Sequence, residues 1–245
     1  MSPDNIPYDR RWSRQVLIPQ FGDEAQRKLA ESKVAVLGVG GVGCPAALYL
    51  AAAGVGSMLL VDGDVVEASN LNRQILFHAS DIGQSKAEIG SARLRGLNPD
   101  LDVEAVSRDV REHDLKDMLR GCHFVLDCFD RNASRLMVNR ACLRMGLPAV
   151  HGFCQDFSGE IFTVIPGKSA CLACALDESF PEPEVFPIIG VTAGTVGLAM
   201  AAAAIKDLTG VGDLMAGQRL IYDLAYPEVL KLPVERNSRC PDCSQ

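Results

Sequence analysis

The sequence predicts a doubly wound α/β fold: a mostly parallel sheet that continues into a mixed or antiparallel C-terminal half with a structural four-cysteine zinc site. Three observations carry this. Short apolar runs alternate with helical segments as far as Gly152, the pattern of a parallel sheet covered on both faces. A glycine run, Gly38 to Gly43, follows the first of those strands. Two Cys-x-x-Cys pairs, Cys171–Cys174 and Cys240–Cys243, bracket the last third, and thiolates at that spacing make a closed tetrahedral metal site.

Residues 8–30 are charged with scattered apolar positions and read as helical material outside the sheet. Lys33–Gly38 is a buried strand ending in glycine, Gly41–Ala53 an apolar helix and Met58–Asp62 a second strand. Gln84–Leu97 is a helix stopped at Asn98-Pro99, and Asp102–Val106 is strand-like. Gly121–Asp127, Asn132–Met145 and Pro148–Gly152 follow as strand, helix and strand. Beyond them lie a strand at Ser158–Ile165, the first cysteine pair and a Pro/Glu-rich loop over Glu178–Pro187. An Ala-rich helix then runs to about Leu208, before strands at Arg219–Asp223 and Glu228–Leu232. The expected organisation is one unit over 1–245: the helical segment at 8–30, a nucleotide-binding half at 33–152 and a zinc-clamped half at 153–245.

A composition of 48% hydrophobic and 22% charged residues suits a well-cored globular protein. The net charge of −7, with no dense Lys/Arg run, argues against a nucleic-acid partner. Val185–Ile205 carries no charge and is long enough for a membrane span, yet it is built from Gly, Ala and Thr with Pro187. It reads as a buried helix with small residues allowing close approach, so no membrane partner is expected. The N-terminus does not read as a signal peptide. The cysteines outside the two pairs (Cys44, Cys122, Cys128, Cys142, Cys154) sit mostly in apolar segments. A reducing cytoplasm is the expected location.

Gly38, Gly40, Gly41 and Gly43 lie between a strand and a helix, where a G-x-G-x-x-G run has mechanical meaning. The backbone passes close to a phosphate there, and the helix N-terminus offers free N–H groups. Asp62 ends the second strand, where an acidic residue accepts ribose hydroxyl bonds. These features alone describe any Rossmann-like dinucleotide site, an NAD-dependent oxidoreductase included. Ser69, Asn70, Arg73, Gln74 and Lys86 add amide and cationic groups suited to a longer polyphosphate. Asp127 and Asp130 flank the end of the fourth strand, where a carboxylate suits Mg²⁺. Singly, Arg73 and Lys86 read as solvated charges and Asp130 as a helix cap; jointly they favour ATP·Mg²⁺. His78, His113, His123 and His151 suggest no catalytic arrangement and read as structural or surface residues.

GVGGVG, VDGDVVEASNLNRQ, GQSKAE, DCFDRNASR and the paired cysteines together resemble the MoeB/ThiF/HesA adenylyltransferases, from Arg11-x-x-Arg14-Gln15 to Cys243. The resemblance implies a homodimer that uses ATP and Mg²⁺ to adenylate the C-terminal Gly-Gly carboxylate of a ubiquitin-like sulfur-carrier protein. It implies catalytic roles for Arg73, Lys86 and Asp130, with Arg14 reaching across the dimer. Nucleotide contacts are implied at Gly38, Gly40, Gly41, Gly43, Asp62, Asp64, Ser69, Asn70, Arg73, Gln74, Lys86, Asp130 and Arg131, and zinc ligation by Cys171, Cys174, Cys240 and Cys243. No rhodanese-like segment is present, which implies a separate sulfur donor protein.

Two departures from the family pattern stand out. The loop ALDESFPEPEVFPIIG lacks the cysteine that many members use for covalent transfer, leaving Cys154, in an expected turn, as the nearest free thiol outside the zinc pairs. Arg131 stands where Asn is usual. Three other readings remain: a relative acting on a peptide C-terminus or a tRNA threonylcarbamoyl group, the oxidoreductase, and a non-catalytic dimer that binds a ubiquitin-like protein.

Overall fold

Runs rich in Val, Leu and Ala form the first strands, Lys33–Leu37 (β1) and Ser57–Val61 (β2), which are buried along nearly their whole length. In the computed structural model, which describes residues 11–176, 185–226 and 228–244, six further strands follow. They are Asp102–Val106 (β3), Phe124–Asp127 (β4), Ala149–Gln155 (β5), Ser158–Val164 (β6), Gln218–Asp223 (β7) and Glu228–Pro233 (β8). One sheet contains all eight, in the order β3-β2-β1-β4-β5-β6-β7-β8. Pairing is parallel from β3 to β5 and antiparallel from β5 to β8. The expected change of character after Gly152 is therefore a change of strand direction within one sheet.

Strand order reverses direction between β1 and β4, because β2 lies on one side of β1 and β4 on the other. Such a switch point leaves a crevice at the carboxyl ends of the strands.

The helices are Ser13–Val16 (α1), Gly22–Ala30 (α2), Gly43–Ala53 (α3), Lys86–Leu97 (α4), Glu112–Met118 (α5), Asn132–Met145 (α6), Leu172–Ala175 (α7) and Gly190–Thr209 (α8). One face of the sheet packs Val34, Val36, Leu60 and Val150 with Leu50 of α3, Leu94 of α4 and Met200 of α8. The other face packs Ala35, Leu37, Leu59 and Val125 with Leu115 of α5 and Val138 of α6. Helices α5 and α7 were not expected; the sequence of α5, EHDLKDM, buries only Leu115 and carries too little apolar pattern to be read. Helix α3 begins at Gly43 rather than Gly41, so Gly38–Val42 forms the loop. Strand β5 runs on to Gln155 because its antiparallel register with β6 pairs Cys154 with Gly159 and Gln155 with Ser158.

Helix α8 is long and apolar enough to cross a membrane by length and composition. Its Thr192, Ala193, Val196, Met200 and Ala204 are buried, and it packs on α3 and on β4 to β6. The small residues act as expected: a Cβ on Gly197 would stand 2.3 Å from the Val42 carbonyl oxygen. Among the described residues, the N-terminal segment forms α1 and α2 outside the sheet, anchored at the far end of α3 by Trp12 Nε1 to Ala52 O (2.9 Å) and Gln15 Nε2 to Ala53 O (3.0 Å).

Candidate functional site: a cleft at the switch point

The carboxyl ends of β1, β2 and β4 open into a cleft of about 720 Å³. Its floor is the loop between β1 and α3. A Cβ on Gly43 would lie 1.9 Å from the Gly38 carbonyl oxygen, so only glycine permits this tight turn into α3. Gly38, Gly40 and Gly41 line the cleft.

Asp62 follows β2 and is buried; its Oδ2 accepts from Val39 N (2.7 Å) and its Oδ1 from Asp64 N (2.9 Å). Burial, the largest influence, pushes this carboxyl above its ordinary range, opposed by those two N–H groups and by Lys86. The folded group thus holds its proton more tightly than the unfolded one, and ionising it at neutral pH costs stability. A ligand hydroxyl donating to the remaining lone pairs recovers part of that cost, the behaviour expected of a ribose acceptor.

Lys86, the first residue of α4, is also buried rather than solvated, and its Nζ meets Asp64 Oδ2 at 2.8 Å. Half-buried Arg73 is braced by the Ser69 carbonyl oxygen and Asn72 Oδ1, each 2.9 Å from one guanidinium nitrogen. Buried Asn70 accepts from Glu67 N at 3.3 Å, and Gln74 lies 4% exposed with an Oε1 that has no hydrogen-bond partner among the described residues. A buried acceptor left unmade is costly, and this one belongs to a side chain lining the cleft, as do Asp62, Asp64, Asn70, Arg73, Lys86, Asp130 and Arg131. Two cations, two amides and flanking carboxylates around a glycine loop fit a nucleoside triphosphate with its divalent cation.

Outside the cleft lining, the four paired cysteines meet. Cys171 Sγ lies 3.9 Å from Cys174 Sγ and 3.6 Å from Cys240 Sγ, and Cys174 Sγ lies 3.6 Å from Cys243 Sγ. All four sulfurs fall within 4.8 Å of one another. A tetrahedron with Zn–S bonds of about 2.3 Å has sulfur–sulfur edges of about 3.8 Å, whereas a disulfide would need about 2.05 Å. The donor set therefore fits zinc. Burial pushes the Cys171 thiol up. Asn139 ties both cysteine pairs to α6: its Oδ1 accepts from Leu172 N and its Nδ2 donates to Asp242 Oδ2, both at 3.0 Å.

The ThiF family model matches residues 12–242, nearly the whole chain. The chain belongs to the ThiF family. It is 39% identical over 241 residues to the SAMP-activating enzyme E1 of Haloferax volcanii, covering 96% of this chain and 88% of that one. It is 37% identical over 238 residues to the sulfur carrier protein ThiS adenylyltransferase of Escherichia coli, covering 95% and 94%. In fold it is similar to E. coli MccB, with a TM-score of 0.88 at 22% identity over 98% of this chain and 76% of that one.

Not every residue expected at this ThiF-family cleft lines it. Gly43 and Ser69 do not line it; Gly43 makes the turn, and Ser69 braces Arg73 through its carbonyl. Arg14 is exposed on α1 beside the C-terminal end of α3, about 15 Å along that helix from the glycine loop. The helix cap position before α6 is Arg131, not Asp130. Asp127 is wholly buried, with Oδ2 2.7 Å from His151 Nδ1 and Oδ1 accepting from Phe129 N at 3.2 Å, and does not line the cleft.

Cys154 is in β5, not a turn, and lines the cleft with Cys128. Burial foremost pushes both thiols up, opposed at Cys154 by Arg135 and Arg73, so neither is poised as a thiolate. Residues 177–184 of the cysteine-free loop lie outside the described residues. The sequence reading missed Arg135 and Phe186, which also line the cleft. A signal existed for Arg135: cations at 131 and 135 sit at the positive end of the α6 dipole, unfavourable unless something there needs them.

Proposed function

We propose that the chain adenylates the C-terminal Gly-Gly carboxylate of a ubiquitin-like sulfur-carrier protein with ATP, preparing it for thiocarboxylate formation in cofactor or other sulfur-compound biosynthesis. The observation that carries this reading is the convergence of Asp62, Asn70, Arg73, Gln74, Lys86 and Asp130 on one cleft. The H. volcanii and E. coli relatives, named as carrier-activating enzymes, support the choice of substrate. On this reading residues 33–152 bind nucleotide and residues 153–245 receive the carrier. The exposed apolar Tyr226, Val229, Leu230 and Leu232 around β8 supply a surface of the kind that proteins dock on.

A carrier carboxylate oxygen attacks the α-phosphorus; the bond from that phosphorus to the β-bridging oxygen breaks, and pyrophosphate departs with the electron pair. Two anions must meet, so positioning and charge neutralisation matter more than a protein nucleophile. Arg73 and Lys86 hold the phosphates, Asp62 the ribose and Gln74 a donor of the bound nucleotide. Asp130 would hold Mg²⁺, which would supply further charge neutralisation. Arg14 cannot reach the cleft of its own chain and serves the partner's site in a homodimer. Exposed Tyr49 on α3 and Val191 and Leu198 on α8, two helices packed together, provide apolar surface for such a partner.

ATP–pyrophosphate exchange, run with and without small ubiquitin-like proteins ending in Gly-Gly, tests the reading. Carrier-dependent exchange is expected; tight ATP binding with no exchange for any carrier overturns it. A second test concerns the homodimer. Mixing Arg14→Ala with Asp130→Ala chains should regenerate one working site per mixed dimer, about half the wild-type activity of that species on the shared-site logic. Failure of the mixture to exceed either parent removes the cross-subunit role of Arg14.

A further inference from the structure

We infer that Arg135 is a positioning residue that clasps the Asp130 loop to β5, assisted from below by the Asp127–His151 pair. This rests on the adenylation reading for its kinetic consequences, though not for its geometry.

Arg135 lies in the first turn of α6 and is 6% exposed. One guanidinium nitrogen donates to the Asp130 carbonyl oxygen at 3.0 Å and to Asn132 Oδ1 at 3.3 Å. The other donates to the Gly152 carbonyl oxygen at 3.0 Å. The guanidinium carbon lies 4.2 Å from the centroid of the Phe153 ring. A single rigid fork thus spans from the loop after β4 to the middle of β5. The Asp130 carbonyl belongs to the loop after β4, and Gly152 lies one residue past the last parallel pair, so no parallel-ladder bond fixes the loop: the β4–β5 register ends at Asp127 with His151.

A second tie acts one residue deeper. Asp127 receives the Phe129 N–H on one oxygen and bonds His151 Nδ1 through the other. Both side chains are fully buried. Residues 128–130 are therefore held from two sides by β5, through His151 below and Gly152 above. Asp130 itself is exposed in the cleft, where its backbone anchor decides where its carboxylate points.

The fork geometry matters more than the charge. Lysine offers a point charge and cannot reproduce a planar donor pair stacked on an aromatic face. Arg135→Lys separates these roles, and Arg135→Ala removes both. Three readouts are compared with wild type: the melting temperature, amide hydrogen exchange of residues 128–133 in the nucleotide-free protein, and pyrophosphate-exchange kinetics. In Arg135→Lys the melting temperature should stay within a few degrees while exchange at 128–133 quickens about tenfold. The kcat should fall about 100-fold, as small misplacements of reacting groups do, with the KM for ATP changed far less. Unchanged protection of 128–133 in both variants overturns the clasp, and so does a kcat for Arg135→Lys within twofold of wild type. Should wild type itself show no pyrophosphate exchange, the adenylation reading fails instead. The amide protection then still decides whether Arg135 holds the loop.

Discussion

Asp130→Ala is expected to lower carrier-dependent pyrophosphate exchange by about 10²–10³-fold while leaving the fold intact, the loss typical of removing one preorganised charge-handling group. Asp130 is exposed and lies beyond the end of β4. Its removal exposes no core and breaks no strand pairing, so stability should change by no more than about 0.5 kcal/mol. Arg135 bonds the backbone carbonyl, which alanine keeps. The loop anchor therefore survives and only the carboxylate is lost. Circular dichroism melts with ATP–pyrophosphate exchange on the same sample separate the two quantities. An active variant would remove Asp130 from the metal site; an inactive variant that melts early would mean the carboxylate serves the fold. Asp127→Ala makes the contrast, since that carboxylate is buried against His151 and its loss should lower stability directly.

The parallel half was legible because buried parallel strands are continuous apolar runs, and Lys33–Leu37 and Ser57–Val61 match their expected ranges closely. The nucleotide loop was legible for a related reason: the chemistry of a glycine turn between strand and helix is local. What stayed hidden depends on partners far apart in the chain. The Arg135 clasp joins α6 to a carbonyl in β5, across 17 residues. Cys154 looked like a turn residue because the extension of β5 is imposed by β6, not by its own sequence. Lys86 read singly as a solvated charge; only the fold shows it buried against Asp64. Asp127 and Asp130 read alike as carboxylates at a strand end; only the fold shows Asp127 engaged by His151. The four cysteines were the exception to this locality: a fixed short spacing, repeated twice, specified a contact between residues 69 apart.

That contact carries the other large expected effect. Cys240→Ser should lower zinc content from about one ion per chain toward zero and reduce the melting temperature by about 10 °C or more, because the free energy of a structural zinc site is folding free energy. Cys240 is buried with Cys171, Leu172, Phe162, Val164 and Leu136 in a small core of its own. Losing the ion thus loosens more than the last few residues. Asn139 would lose ordered partners on both sides, Leu172 N–H and Asp242, and Asn139 is a buried residue of the helix that starts beside Asp130. A fall in pyrophosphate exchange should therefore follow zinc loss even though no cysteine of the cluster lines the cleft. Chelation of the wild-type protein should reproduce both effects, and added Zn²⁺ should reverse them. Cys122→Ser serves as the control, since that thiol lies in the other core and should leave the zinc content unchanged. A Cys240→Ser protein that keeps its zinc and melts like wild type would mean the tail is held by packing alone. One that loses zinc yet keeps full activity would cut the link through Asn139 and leave α6 to be fixed by the sheet.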